Sequence, residues 1–295
     1  MFSYYPSSIL FDFGAIQIHW YGFLIVVAII ADFFIAKFLL KKYNIPTEIL
    51  YDFGFYLLIF GIIGARLGHI VSEIGYYFKY PLDMFKIWNG GLAIHGAIFA
   101  GIVVVWFFCK NFNRKQKNQF KIDSLIMLDI LAPLIALGQA IGRWGNYFNQ
   151  ELFGPPSSLP WAIPISVPNR LIGYENFNFF HPNFLYESLW CLLIFLLLLA
   201  VHRVRINNNQ DARYKIRKIL NTITKKNTIF KLPGIIFFSY LFLYSIERFL
   251  IGFLRIDPQP GWLNLRLDQW VSLILIALSI FTLIKLRNKH DPDLA

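Results

Sequence analysis

Four polar residues recur along one stretch of an otherwise apolar chain: Gln139, Arg143, Asn146 and Gln150, spaced i, i+4, i+7 and i+11. On a helix that continues past Gly145 they form one stripe. Tyr244, Arg248 and Arg255 follow a comparable spacing farther on. Arg66 stands between Gly64 and Gly68, a GxxxG pair that admits a neighbouring helix. His95 lies in Gly90-Gly91-Leu92-Ala93-Ile94-His95-Gly96. A guanidinium stays charged and can grip a phosphate with two parallel N–H groups. A histidine can move a proton near neutral pH. The residue types therefore point to chemistry on a phosphate-bearing substrate. No GxSxG or HExxH is present, and Cys109 and Cys191 have no His or Cys at metal spacing. Neither a metal nor an organic cofactor is expected, and a disulfide framework is disfavoured.

The elements that must position these groups are membrane helices. The chain has 295 residues, 57% apolar and 18% aromatic, and only 15% are charged. About a quarter is usual in a soluble domain. Apolar runs near 18–40, 50–70, 91–109, 123–142, 183–202, 233–253 and 267–285 are long enough to cross a bilayer. The expectation is an all-α integral membrane protein with about seven transmembrane helices in a single polytopic domain over residues 1–295. Membrane-barrel strands would be shorter and alternating.

The net charge of +11 raises nucleic acid as a partner. Its distribution argues against that. Lys37, Lys41 and Lys42 follow the first span, Lys110, Arg114, Lys115, Lys117 and Lys121 the third, and Lys285, Arg287 and Lys289 the seventh. Residues 203–232, between the fifth and sixth spans, are the most basic loop. All these loops alternate, so the positive-inside rule makes them cytoplasmic, with the N-terminus outside and the C-terminus inside. The basic loops lack regularly spaced stacking aromatics; they fit anionic headgroups. With no basic residue before Lys37, a cleaved signal peptide is not expected. Residues 71–90, with Trp88, and 144–182, rich in proline and asparagine, are expected to be external, the second as an irregular cap. A short helix is expected within Arg205–Lys231.

With that topology, Tyr21, Arg66, His95, Arg143 and Arg248 fall at one depth, near the outer ends of five helices. One such arginine could snorkel to the headgroups; several at one depth repel unless an anion sits among them. Phosphate is the expected anion. An anionic-solute transporter is the competing function, but no comparable polar stripe continues through spans 3, 5 and 7.

The stretch Gly142-Arg143-Trp144-Gly145-Asn146-Tyr147-Phe148-Asn149-Gln150-Glu151-Leu152-Phe153-Gly154 resembles the signature of the phosphatidylglycerol–prolipoprotein diacylglyceryl transferases. His19-Trp20-Tyr21-Gly22, the segment around His95, His181-Pro182-Asn183 with Leu185-Tyr186-Glu187, Tyr244…Arg248…Arg255 and Gln269 add to the resemblance in chain order. It implies a bacterial cytoplasmic (inner) membrane enzyme with its site toward the outer leaflet. Such an enzyme moves a diacylglyceryl group from phosphatidylglycerol to the lipobox cysteine of preprolipoproteins and releases glycerol phosphate. It also implies Arg143 and Arg248 as the essential arginines, with His95, Tyr21, Arg66, Asn146, Glu151, Tyr244 and Arg255 lining the site. We expect both arginines on the phosphate, Asn146 and Asn149 on the headgroup or peptide, and His95 as first candidate for the thiol proton. Tyr244 and Glu151 are alternatives, and the positive field alone could suffice. The family usually has a glutamate where this chain has Gly252, and neighbouring Glu247 points about 100° away from Arg248 on a helix.

Overall fold

The computed structural model describes residues 4–14, 16–87, 90–115, 121–210 and 232–290, with the side chains of 94, 95, 207–210, 289 and 290 excepted. Trp88, Lys117 and most of the expected short helix within Arg205–Lys231 lie outside the described residues. The elements in chain order are a hairpin of β1 (Ile9–Asp12) and β2 (Gln17–His19), α1 (Trp20–Lys42), α2 (Ile49–Ser72), α3 (Ile74–Lys79), a 3-10 turn (Pro81–Phe85), α4 (Ile94–Lys115) and α5 (Ser124–Phe148). There follow β3 (Ile163–Pro164), β4 (Phe179–Phe180), α6 (Asn183–Gln210), α7 (Ile235–Ile251), a 3-10 turn (Gly252–Leu254), β5 (Gly261–Trp262), β6 (Leu265–Arg266) and α8 (Leu267–His290). Among the described residues, seven helices are long and apolar enough to cross a membrane, as the runs predict. A helix satisfies its backbone polar groups internally, the condition hydrocarbon imposes.

The chain divides into two compact units, Lys37–Leu128 and the remainder. In the first unit α2 packs on α4. Gly64 and Gly68 do admit a neighbour. A Cβ on Gly64 would lie 2.6 Å from the carbonyl oxygen of Gly96, and one on Gly96 would collide with that of Gly64. The helices thus meet backbone to backbone, one residue from His95. Beside this contact, Arg66 is buried and gathers the segment after α2. Its Nε donates to Met84 O (2.9 Å), Nη1 to Gly90 O (2.6 Å) and Gly91 O (2.9 Å), and Nη2 to Asp83 O and, at 3.3 Å, Lys86 O.

The second unit is built on α5, α6, α7 and α8, with a core of Ala132, Ala136, Ile194, Leu198 and Ile236. Pro133 lies inside α5. Proline has no N–H to give the carbonyl four residues earlier; here that is Asp129, and Nε2 of His202 on α6 donates to its carbonyl at 3.0 Å. The Asp129 carboxylate, fully buried, pairs with Arg205 at 2.6 Å and accepts the backbone N–H groups of Gly234 and Phe237, each at 2.8 Å. Gly234 and Phe237 open α7, so a side chain of α5 caps it, supplying the acceptor its first N–H groups lack. Helix α6 runs on to Gln210, past the end expected at 202.

The end of α5 also differs from expectation: the expected cap starts at Trp144, yet α5 continues to Phe148. Gly145 does not stop the helix; glycine there lets the Tyr21 ring press against the backbone, where a Cβ would collide with it. The rest of the segment is folded. Antiparallel β3 and β4 pair Ile163 with Phe180, and Phe153, Ile165 and Phe184 join them in a small core.

Replacing Gly96 with valine forces α2 and α4 apart. We expect it to lower stability by about 1–3 kcal/mol, read as thermal unfolding in detergent.

Candidate functional site

Arg143 lies in the last turns of α5 and Arg248 near the end of α7. Between them stands Glu187, one turn into α6 and 2% exposed. Helix α6 begins at Asn183, whose Nδ2 donates to Leu254 O at 3.0 Å, and Glu187, four residues on, shares its face. The adjacent Ser188 donates to Ala140 O at 2.8 Å, which fixes α6 against α5 at this level. The Glu187 carboxylate pairs through Oε2 with Arg143 Nε and through Oε1 with Arg248 Nη1 at 3.4 Å.

The pairing does not stop there. Arg248 Nη2 reaches Asp268 at 3.3 Å, Asp268 reaches Arg266 at 3.7 Å, Arg266 reaches Asp257 at 3.0 Å, and Asp257 holds Arg255 through two bonds of 2.8 and 2.9 Å. Seven ions alternate in sign from Arg143 to Arg255, with an arginine at either end. Asp268 sits in the first turn of α8, where the helix dipole favours an anion. Beyond the spans, burial would raise the Asp257 carboxyl, but hydrogen bonds from Arg255 and the charges of Arg255 and Arg266 hold it below its ordinary value. For the Arg255 guanidinium, burial works against the charge, yet bonding to Asp257 still holds it above its usual value.

Other expected site residues take varied positions. Asn146 remains on α5 and donates to Glu151 Oε1 at 2.8 Å, while Asn149 reaches the same oxygen at 3.3 Å. These three form one polar group just past the helix end. Tyr244 stacks on Tyr240, centroids 5.8 Å apart, and the Tyr240 hydroxyl donates to Gln139 at 3.0 Å. Tyr21 keeps 40% of its surface exposed at the start of α1. His95 occupies the second position of α4, in the other unit, and its side chain lies outside the described part.

Two expectations of helical spacing are corrected. Gln150 leaves the stripe because α5 has ended; with φ of 53° it bonds Pro6 O and Ser166 N, both at 2.7 Å. Arg255 leaves the other stripe because α7 gives way to a 3-10 turn, and its fork is spent on Asp257. All five N–H groups of Arg66 are taken by backbone carbonyls, so it is engaged in holding a loop. The expected anion among the cations is in part the protein's own: Glu187, Asp268 and Asp257. Sequence reasoning placed none of these in the site, although Glu187 stands in a quoted stretch and is an acid opening a strongly apolar span.

Gly252 also has a local cause. A Cβ there would lie 2.6 Å from Cγ of Gln269, which is held by Arg266 N at 2.9 Å and Phe249 O at 3.1 Å.

A sequence profile described as prolipoprotein diacylglyceryl transferase matches residues 8–285. Among similar proteins, the phosphatidylglycerol–prolipoprotein diacylglyceryl transferase of Prochlorococcus marinus (strain MIT 9301) is 37% identical, over 96% of this chain and 93% of its own. That of Parasynechococcus marenigrum (strain WH8102) is 38% identical over 86% and 81%. That of Staphylococcus aureus (strain MSSA476) is 36% identical over 98% and 92%.

Two outcomes follow from the ion chain. Glu187→Gln leaves two partly buried guanidiniums without their shared partner and should cost about 3 kcal/mol of stability, the low end for a broken buried pair, measured by unfolding in detergent. The Asp257 carboxyl is lowered in the folded state, so its contribution is complete above the unfolded value of about 3.9. It is lost as pH falls through the lower folded value. Asp257→Asn should therefore reduce stability at neutral pH and flatten the acid limb of a plot of melting temperature against pH.

Proposed function

The chain belongs to the prolipoprotein diacylglyceryl transferase family, and on that premise we propose that it transfers the diacylglyceryl group of phosphatidylglycerol to the lipobox cysteine thiol of preprolipoproteins. Glycerol phosphate is the second product. The observation that carries the reading is the match over residues 8–285, with relatives so named at 36–38% identity. Arg143 and Arg248, partly buried and joined through Glu187, support it chemically. The anionic-solute transporter has no comparable support.

The reaction is attack by sulfur on an sp3 carbon. A C–S bond forms, the C–O bond to phosphate breaks, and its electron pair stays on the phosphate. Two requirements follow: a thiolate, since a free thiol of pKa about 8.5 is a poor nucleophile, and stabilisation of the departing phosphate. Arg143 and Arg248 supply the second, each trading part of its hold on Glu187 for the phosphate oxygens. Guanidiniums cannot serve as bases. Asn146, Asn149 and Glu151 offer donors and acceptors to the headgroup glycerol or the peptide, with Tyr21 and Tyr244 beside them. His95 is carried over from the resemblance as the third catalytic residue. A multi-pass protein of the bacterial cytoplasmic membrane, with its site toward the outer leaflet, suits a lipid donor entering laterally between helices.

Purified protein with phosphatidylglycerol and a peptide containing Leu-Ala-Gly-Cys should give a diacylglyceryl mass increase. The serine peptide should give none. Arg143→Lys, a point charge in place of a fork, should lower turnover by about 100-fold. A folded wild-type protein that yields no adduct defeats the reading, and near-normal turnover of Arg143→Lys defeats the bidentate role.

A further inference from the structure

One buried carboxyl beside the arginines has no place in the ion chain. Glu247 precedes Arg248 on α7 and is 4% exposed; neither of its oxygens touches solvent, and among the described residues neither has a hydrogen-bond partner. The groups that act on it come from every side. They are Glu187 and Cys191 on α6, Arg143 on α5, Tyr240, Tyr244 and Arg248 on its own helix, and Arg255 just beyond it. On α8, Asp268 is paired to Arg248. Burying a carboxyl without a partner is costly. Every other carboxylate in this cluster is ion-paired to a guanidinium. Glu247 has no such ion pair among the described residues, and its oxygens are free to take a proton.

Resting on the transferase reading, we propose that Glu247 is a further catalytic residue, the acceptor of the lipobox thiol proton. The sulfur gives its proton to a Glu247 oxygen, forms the C–S bond, and the phosphate oxygen leaves with the electron pair of the broken C–O bond. The charges support this assignment. The seven-membered chain carries one more guanidinium than carboxylate, and ionised Glu247 brings the cluster to neutrality. During the step the phosphate passes from a singly charged diester to a doubly charged monoester. A proton retained on Glu247 offsets that added negative charge in place, so the total charge of the apolar site is unchanged. Sending the proton elsewhere would leave the additional charge uncompensated where the dielectric is low. The sequence alone puts His95 first for this proton; among the described residues Glu247 is the carboxyl of the Arg143 and Arg248 cluster that has no ion pair.

The test is Glu247→Gln, nearly isosteric, in the purified full chain with phosphatidylglycerol and the cysteine peptide, followed as a function of pH. The proposal expects kcat to fall by about 100-fold, KM for phosphatidylglycerol to stay level or decrease, and the acidic limb of kcat/KM to disappear, with Glu247→Asp recovering part of the rate. Wild-type kcat in Glu247→Gln overturns it. So does a loss that raises KM and leaves the acidic limb in place, the mark of a structural role, or an acidic limb that vanishes in His95→Gln instead. Absence of any adduct from the wild-type protein defeats the transferase reading and the proposal together, whereas an active wild type with an unaltered Glu247→Gln defeats the proposal alone.

Discussion

Two guanidiniums from different apolar helices cannot be held side by side without something negative between them. Like charges a few ångströms apart cost on the order of 4 kcal/mol even at an effective dielectric of 20. Glu187 meets that constraint by giving one oxygen to Arg143 and the other to Arg248. The surrounding structure serves this arrangement: Asn183 ties the start of α6 to the end of the 3-10 turn after α7, and Ser188 ties it to α5. The two guanidiniums are thereby oriented by the fold itself and need no further ordering.

The extension of that pairing through Asp268, Arg266 and Asp257 to Arg255 explains why the chain can crowd so many ions near membrane helices. Each interior ion has two partners of opposite sign, which offsets desolvation better than an isolated pair can. Ending the series on arginines leaves the seven ions with one positive charge in excess.

The spans were legible because hydrocarbon demands long apolar helices, and their number and order follow from hydropathy alone. Arg143, Arg248, Asn146 and Glu151 were legible from spacing and resemblance, and the structure groups Arg143 with Arg248 and Asn146 with Glu151. The anions were less so. Counting cations at one depth calls for a counter-charge, but one sequence does not say whether ligand or protein provides it, since Glu187 is recruited only when α5, α6 and α7 meet. Arg66 is the converse case. Its bracketing glycines spoke for helix packing, which α4 confirms, while its side chain closes a loop through carbonyls that have no sequence signature. Arg255 and Gln150 leave their helical stripes for a simpler reason: helical spacing loses its meaning once the helix ends.

At the Asp129 end of the second unit, a proline frees a carbonyl for His202, and the adjoining carboxylate takes Arg205 of α6 and the first N–H groups of α7. Three helix ends are thus tied together around one residue. The Asp129 carboxylate is at once a counter-ion and a cap, so a single isosteric change to asparagine there would release α6 and the start of α7 together.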